Sequence, residues 1–371
     1  MVNKNYLCKN DIQMNTFFKD LKVVELASVL AGPAVGTFFS ELGANVVKIE
    51  NKLTNGDVTR SWKLESENKD SMMSAYYASV NWNKKSLFVD LTNEKEKKQV
   101  YDLIKDADVV ISNYKPGDDI KLQMDYETFK KINPTIIYAH LTGFGDDSSR
   151  TAYDLVLQAE VGFMFMNGTK QSGPLKMPIA LIDIMAAHQM KEAILIALIK
   201  KLKTGEGSKV TVSLFDSAIA SLANQASSWL MAGNNPQAIG SLHPSIAPYG
   251  EIFITKDEKN IVLAVGNNKQ FENLCIILNL SSLLSNPKFS KNRERVINRT
   301  ELFEILQLAI KTRNADKLMK DFITKDVPAG LIKSIKEVFE SNNLTSSVLT
   351  ENDNNNIKNS RVKTVVFKIS N

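Results

Sequence analysis

A two-domain α/β protein on a parallel, doubly wound sheet is the fold this sequence predicts, and three observations carry it. Short β-branched runs alternate with helical patterns through the first half of the chain. At 371 residues and 43% hydrophobic content, the chain is too long for one ordinary core. A Gly- and Pro-rich stretch, Ala232–Pro248, then breaks the pattern and reads as a crossing into a second domain.

The elements follow in order. KVVELA (22–27) is a short strand, and SVLAGP (28–33) a turn whose Pro33 suits the first turn of a helix. That helix stops at Gly43, a C-cap glycine, and NVVKIE (45–50) returns as a second strand. SLFVDL (86–91) is the third strand, followed by a helix capped by Thr92 or Asn93 that runs to about Ala107. Strand 108–113, a helix over about 118–132 and strand 135–141 continue the alternation. Asp183 to Leu202 reads as one long helix, 209–214 as a strand and 217–224 as a helix of small residues. Two strands and several helices then lead to a turn at Asp326–Gly330. The Asn/Ser/Thr-rich segment 341–360 is expected to be mobile, and TVVF (364–367) to rejoin the sheet. These boundaries give a large domain of residues 1–225 rejoined by 331–371, and a small domain of 226–330.

Composition narrows the function. No apolar run approaches the ~20 residues of a membrane helix, and MVNKNYLCKN lacks the apolar segment of a secretory signal. Cys8 and Cys275 lie far apart, so neither a disulfide scaffold nor a cysteine zinc site is expected, and a reducing cytoplasm suits the chain. The net charge of +5 is mild, and no basic stripe carries interleaved aromatics, so nucleic acid is not an expected partner.

Ligands of open α/β sheets bind outside the carboxyl ends of the strands. Three loops there have suggestive composition: Ser28–Pro33, Asn113-Tyr114-Lys115-Pro116-Gly117, and Thr142-Gly143-Phe144-Gly145. Together they offer glycine backbone, an aromatic for stacking and a lysine for phosphate. Asn81–Ser86 adds adjacent lysines, Lys84 and Lys85, before the third strand. Neither GxGxxG nor GxxxxGK[ST] is present, so dinucleotide and P-loop chemistry find no support.

These segments resemble a family. LKVVELASVLAGP…LGANVVKIE, NWNKKSL…DL, DVVISNYKPG, IYAHLTGFG, YDLVLQA, VGNNKQFENLC and DVPAG occur in the order found in family III CoA-transferases. That family includes formyl-CoA and carnitine CoA-transferases and the 2-methylacyl-CoA racemases. The resemblance covers roughly residues 20–335. It implies a Rossmann-like domain with a smaller α+β domain, an interlocked homodimer, and acyl-CoA and a carboxylic acid as substrates, with no metal. Carried over, Leu30 and Ala31 contact the nucleotide, and Asn51 or Lys52 lies near the ADP part. Asn81 to Lys84, Asn113, Tyr114, Lys115, Lys121, Thr142, Gly143, Phe144 and Gly145 complete the cradle.

In such transferases an aspartate attacks the thioester, and CoA is then held as an enzyme thioester. At the matching position this chain has Gln171 or Ser172. The racemase pattern wants a His before Asp154, where Tyr153 stands, a poor base with a pKa near ~10. Asp154 and Asp183 are the carboxylates nearest the expected thioester and the candidate catalytic groups, burial being the means to raise their pKa. Asp183 also suits a helix cap. His188 is i, i+5 from Asp183 and so off its face, but i, i+4 from Glu192, and a non-catalytic role is expected for it. His243 belongs to the domain crossing. Transfer of CoA between carboxylic acids through an altered carboxylate site is the leading reading. An acyl-CoA isomerase or racemase, and a binding subunit without the nucleophile, are the alternatives.

Overall fold

The computed structural model describes residues 16–340, 344–352 and 358–370; Cys8 and the N-terminal stretch lie outside them. The chain forms two compact units. The first takes in residues up to Phe165, Lys176–Pro236, and the chain from Thr345 onward; the second takes in Met166–Leu175 and Gln237–Leu344.

The first unit is built on six parallel strands: β1 (Lys22–Leu26), β2 (Asn45–Asn51), β3 (Lys85–Val89), β4 (Val109–Ser112), β5 (Ile137–Thr142) and β6 (Ser208–Ser213). Their order is β3-β2-β1-β4-β5-β6. The order reverses between β1 and β4, and there the loops diverge to leave a crevice. Strand alternation supplies both faces. Val23, Val109, Ile111, Ile137 and Ala139 pack with helices α1 (Ala31–Glu41) and Leu181–Thr204. Val24, Leu26, Val110 and Tyr138 face the opposite layer with Val100, Ile104 and Phe129. Two charges break this apolar pattern: Glu25 and Lys48, fully buried, are register partners on β1 and β2.

Two expectations about the elements change. The helix over 118–132 is two, Asp118–Leu122 and Tyr126–Ile132. Gln123 turns left-handed with φ 59°, Met124 is fully buried, and Asp125 caps the second piece by accepting the Thr128 N–H. The 364–367 run does not rejoin the sheet. Glu41 of α1 accepts the Thr364 and Val365 N–H groups and also holds Arg361, so a side-chain carboxylate replaces the ladder. Of the segment 341–360, residues 341–343 and 353–357 lie outside the described residues, and Val348–Asn352 runs antiparallel to Lys358–Val362.

The second unit is a three-stranded antiparallel sheet of Tyr249–Ile254, Asn260–Ala264 and Ala329–Leu331 under a helical layer. Phe253, Leu263, Phe271, Leu306 and Phe322 form its core. The structure enters this unit at Gln237 rather than 226, because the helix Ala223–Ala232 extends the first unit up to its left-handed Gly233 cap. It leaves at Leu344 rather than 330, because Ala329–Leu331 pairs with Ile261–Leu263.

Candidate active site

The loops after β1 and β4 meet at the crevice. Asn113 ties them with two reciprocal hydrogen bonds: its amide donates to the Ser28 carbonyl at 2.9 Å, and its Oδ1 accepts the Ser28 N–H at 3.1 Å. On one side of this clasp lies a cleft of about 240 Å³ lined by Leu30, Ala31, Tyr114, Lys115, Thr142 and Gly143, with Asp183 in its wall. On the other side lies a compartment of about 280 Å³ bounded by Ser28, Asn51, Asp57 and Tyr114. A third space, about 120 Å³, is lined by Asn51, Leu53, Leu91, Tyr114 and Leu122. Tyr114 borders all three.

Helix α1 begins at the cleft without a side-chain cap. Its first N–H groups are therefore available to an anionic oxygen. The 142–145 turn approaches the segment before helix Asp154–Glu160 closely, since a Cβ on Gly143 would overlap the Cβ of Ala152. Gly145 closes that turn by donating to Thr142 Oγ1 at 3.1 Å. Phe144 packs against Phe215 and under the Arg150 guanidinium, rather than lining the cleft.

Other expected ligand residues sit elsewhere. Lys52 is paired with Glu96 at 2.8 Å, and Lys121 with Asp118 at 3.1 Å; both are exposed, and neither lines the three spaces. Asn81 is buried, its amide donating to the Tyr77 carbonyl. Lys84 was expected to offer a cation to phosphate, but its ammonium is buried against Glu25 at 2.7 Å and three further oxygens. Burial pulls this ammonium down to about 7, against the opposing pull of Glu25. Asn81 and Lys84 instead border a separate cavity with Arg60, Lys85 and Phe88.

The two candidate carboxylates stand at the starts of neighbouring helices. Asp154 opens Asp154–Glu160; its Oδ1 accepts the Ile182 N–H at 2.7 Å and its Oδ2 the Gln158 amide at 2.5 Å. Asp183 lies in the first turn of Leu181–Thr204 and is 8% exposed. No hydrogen bond reaches its carboxylate among the described residues. Burial, then the charge of Asp154, pushes its pKa up to about 7. Tyr76 feels the same field, pushed up to about 12 by burial and then by Asp183 and Asp154. Tyr153 is exposed at the cleft wall.

The remaining sequence candidates have the following surroundings. His188 is exposed on its helix and outside the cleft. His243 belongs to the second unit, where its Nδ1 accepts the Ser245 N–H. Gln171 and Ser172 lie, with Lys170, in the three-residue turn of a short hairpin, Gly168–Thr169 with Gly173–Pro174. The Ser172 hydroxyl is used within that turn, accepting the Thr169 N–H and donating to the Gly173 carbonyl. Sequence reasoning missed Arg150 and Tyr76; only position in the folded chain brings them to the site.

Fold and cleft together define an α/β protein with an open cleft at its parallel strand ends, beside a carboxylate that no hydrogen bond from the described residues reaches. The chain matches the pattern of CoA-transferase family III over residues 18–371 and belongs to that family. It is 37% identical over 325 residues to the succinate–glutarate CoA-transferase of Agrobacterium fabrum, covering 86% of this chain and 80% of that one. It is 36% identical over 322 residues to the succinyl-CoA:glutarate CoA-transferase of Homo sapiens, covering 86% and 72%. A crystal structure of a CAIB/BAIF family protein from Brucella suis superposes with a TM-score of 0.83 at 35% identity, covering 95% of this chain and 93% of that one.

Proposed function

We propose that this enzyme transfers CoA from an acyl-CoA to a carboxylic acid, with Asp183 as the carboxylate that carries the acyl group and then CoA. The observation that carries this reading is a buried, unbonded carboxylate with a pKa near 7 in the wall of the cleft. A hydrogen-bonded carboxylate is a weak nucleophile; an unbonded, more basic one is stronger.

The steps need only this group. An ionised Asp183 oxygen attacks the thioester carbonyl carbon; the C–S bond breaks and CoA leaves as thiolate from a mixed anhydride. The thiolate attacks the Asp183 carbonyl carbon, releasing the donor acid and leaving CoA as a thioester on Asp183. The acceptor carboxylate attacks that thioester, and the thiolate released then takes the acceptor's acyl carbon, freeing Asp183. The adjoining spaces past the Ser28–Asn113 clasp suit the rest of CoA, with Tyr114 as a stacking surface.

The substrate acids we favour are small dicarboxylates, the class named for the relatives from Agrobacterium fabrum and Homo sapiens. Lys115, whose ammonium reaches, among the described residues, only the Thr151 hydroxyl at 2.7 Å, lines the same cleft as Asp183 and offers a cation for a second carboxylate, whereas Arg150 there is already paired with Glu160. A homodimer is the form the family resemblance implies, and the exposed Trp229, Leu230 and Met231 are apolar surface of the kind that association covers. A cytoplasmic setting is consistent with the absence, among the described residues, of a helix long and apolar enough to cross a membrane.

The test is exchange of labelled succinate or glutarate into the matching acyl-CoA. Exchange by the wild type supports the reading. Loss of α-deuterium from an acyl-CoA without any exchange would replace it with isomerisation.

A further inference from the structure

The loop after β1 contains a backbone conformation that its residue disfavours. Val29 has φ 71°, a left-handed geometry rare for a β-branched side chain. It also lines the cleft. Such strain persists only where the surroundings impose it. Here the imposing group is Asp57, whose two carboxylate oxygens accept the Val29 N–H at 3.4 and 3.2 Å.

Asp57 is itself held firmly. It is 5% exposed, and its Oδ1 accepts the Thr59 N–H at 3.0 Å and the Thr59 hydroxyl at 2.8 Å. Its Oδ2 stands 3.1 Å from the Lys48 ammonium. Lys48 also donates to the Ala27 carbonyl at 2.6 Å and to Glu25 at 2.9 Å. The other Glu25 oxygen takes Lys84, which reaches the Pro33 carbonyl at 2.8 Å. Helix α1 lies against this carboxylate only because Gly36 has no Cβ to overlap Glu25. Two carboxylates and two ammonium groups thus grip the loop at the Ala27 carbonyl, the Val29 N–H and the Pro33 carbonyl. Buried ion clusters of this kind are a poor means of stabilising a fold, since apolar replacements of equal volume often serve as well. What this cluster does set is backbone geometry at the cleft.

We propose that Asp57 is a positioning residue for acyl-CoA binding, fixing the Val29 backbone so that the 28–31 segment presents the cleft wall in its binding geometry. The proposal rests on the acyl-CoA reading of the cleft.

The experiment measures KM for acyl-CoA, kcat, equilibrium binding of CoA and thermal melting for four proteins: the wild type, Asp57→Asn, Asp57→Glu, and Asp57→Asn combined with Val29→Gly. Asp57→Asn is expected to raise KM roughly tenfold or more while kcat stays within about threefold. Glycine adopts positive φ without strain, so Val29→Gly in that background should return KM to within about threefold of wild type. Asp57→Glu keeps the charge that balances Lys48 but moves the carboxylate, so it should raise KM even if Asp57→Asn does not fold. An unchanged KM in a folded Asp57 variant, or a raised KM that Val29→Gly leaves in place, overturns the proposal while the acyl-CoA reading stands. Failure of the wild type to bind CoA overturns that reading, and the proposal with it.

Discussion

Asp154 and Asp183 begin neighbouring helices, yet one is saturated with hydrogen bonds and the other has none. Asp154 spends its two oxygens on the Ile182 N–H and the Gln158 amide, whose own carbonyl accepts the Met177 N–H. It therefore fixes the entry to the long helix that presents Asp183. Asp183 keeps its oxygens free in the cleft and carries a raised pKa for two reasons, its burial and the charge beside it. The difference separates a group that builds the site from a group that can react. Sequence position alone suggested the helix-cap role for Asp183, and Asp154 fills it instead.

The largest effect expected is from Asp183→Asn. Transfer should fall by roughly a thousandfold or more in steady-state assays, because the nucleophile is gone. The same substitution should raise stability at pH 8. The folded pKa of Asp183 lies above its unfolded value, so its favourable contribution is complete below about 4 and is lost as pH rises towards 7. Above that, holding the ionised group buried costs on the order of 2–4 kcal/mol, and asparagine removes this cost. Denaturant melts at pH 5 and pH 8 measure it: the gain over wild type should be large at pH 8 and small at pH 5.

Asp154→Asn should act through position and charge rather than chemistry. Asparagine keeps an oxygen for the Ile182 N–H but turns an NH2 towards the Gln158 amide donor, and losing that hydrogen bond is expected to cost about 1 kcal/mol in a thermal melt. Removing the neighbouring negative charge should lower the Asp183 pKa, so the acid limb of the kcat/KM profile should move to lower pH. In the wild type that limb should fall as pH drops through about 7, since only ionised Asp183 attacks. The smallest effects belong to Lys52→Ala and Lys121→Ala. Each lysine is exposed, paired with a carboxylate and outside the cleft spaces, so KM for acyl-CoA should change by less than about threefold.

Much of the fold was legible because strand and helix periods are local properties. The KVVEL, NVVKIE and DVVIS runs, the Gly43 stop and the Asn93 cap all appear where the pattern put them. The three strand-end loops were legible for the same reason: a parallel sheet brings them to one edge, and Ser28, Asn113 and Thr142 do line one cleft. Lys84 was read as a cation for the ligand because adjacent lysines beside a strand suggest outward charges, whereas one of the pair turns inward to a carboxylate 59 residues away in the chain. The contrast between Asp154 and Asp183 was hidden for a related reason. It depends on which N–H lies opposite each carboxylate, and the Ile182 partner of Asp154 is 28 residues distant. The 364–367 run has strand composition, but Glu41 offers its backbone a different partner.

The most direct test of the central claim is to incubate the enzyme with an acyl-CoA alone, quench it, and map covalent adducts by peptide mass spectrometry. This account predicts an acyl or CoA adduct on the peptide containing Asp183, absent from Asp183→Asn and present in Asp154→Asn. An adduct on the Gln171–Ser172 peptide, or one that persists in Asp183→Asn, would contradict it.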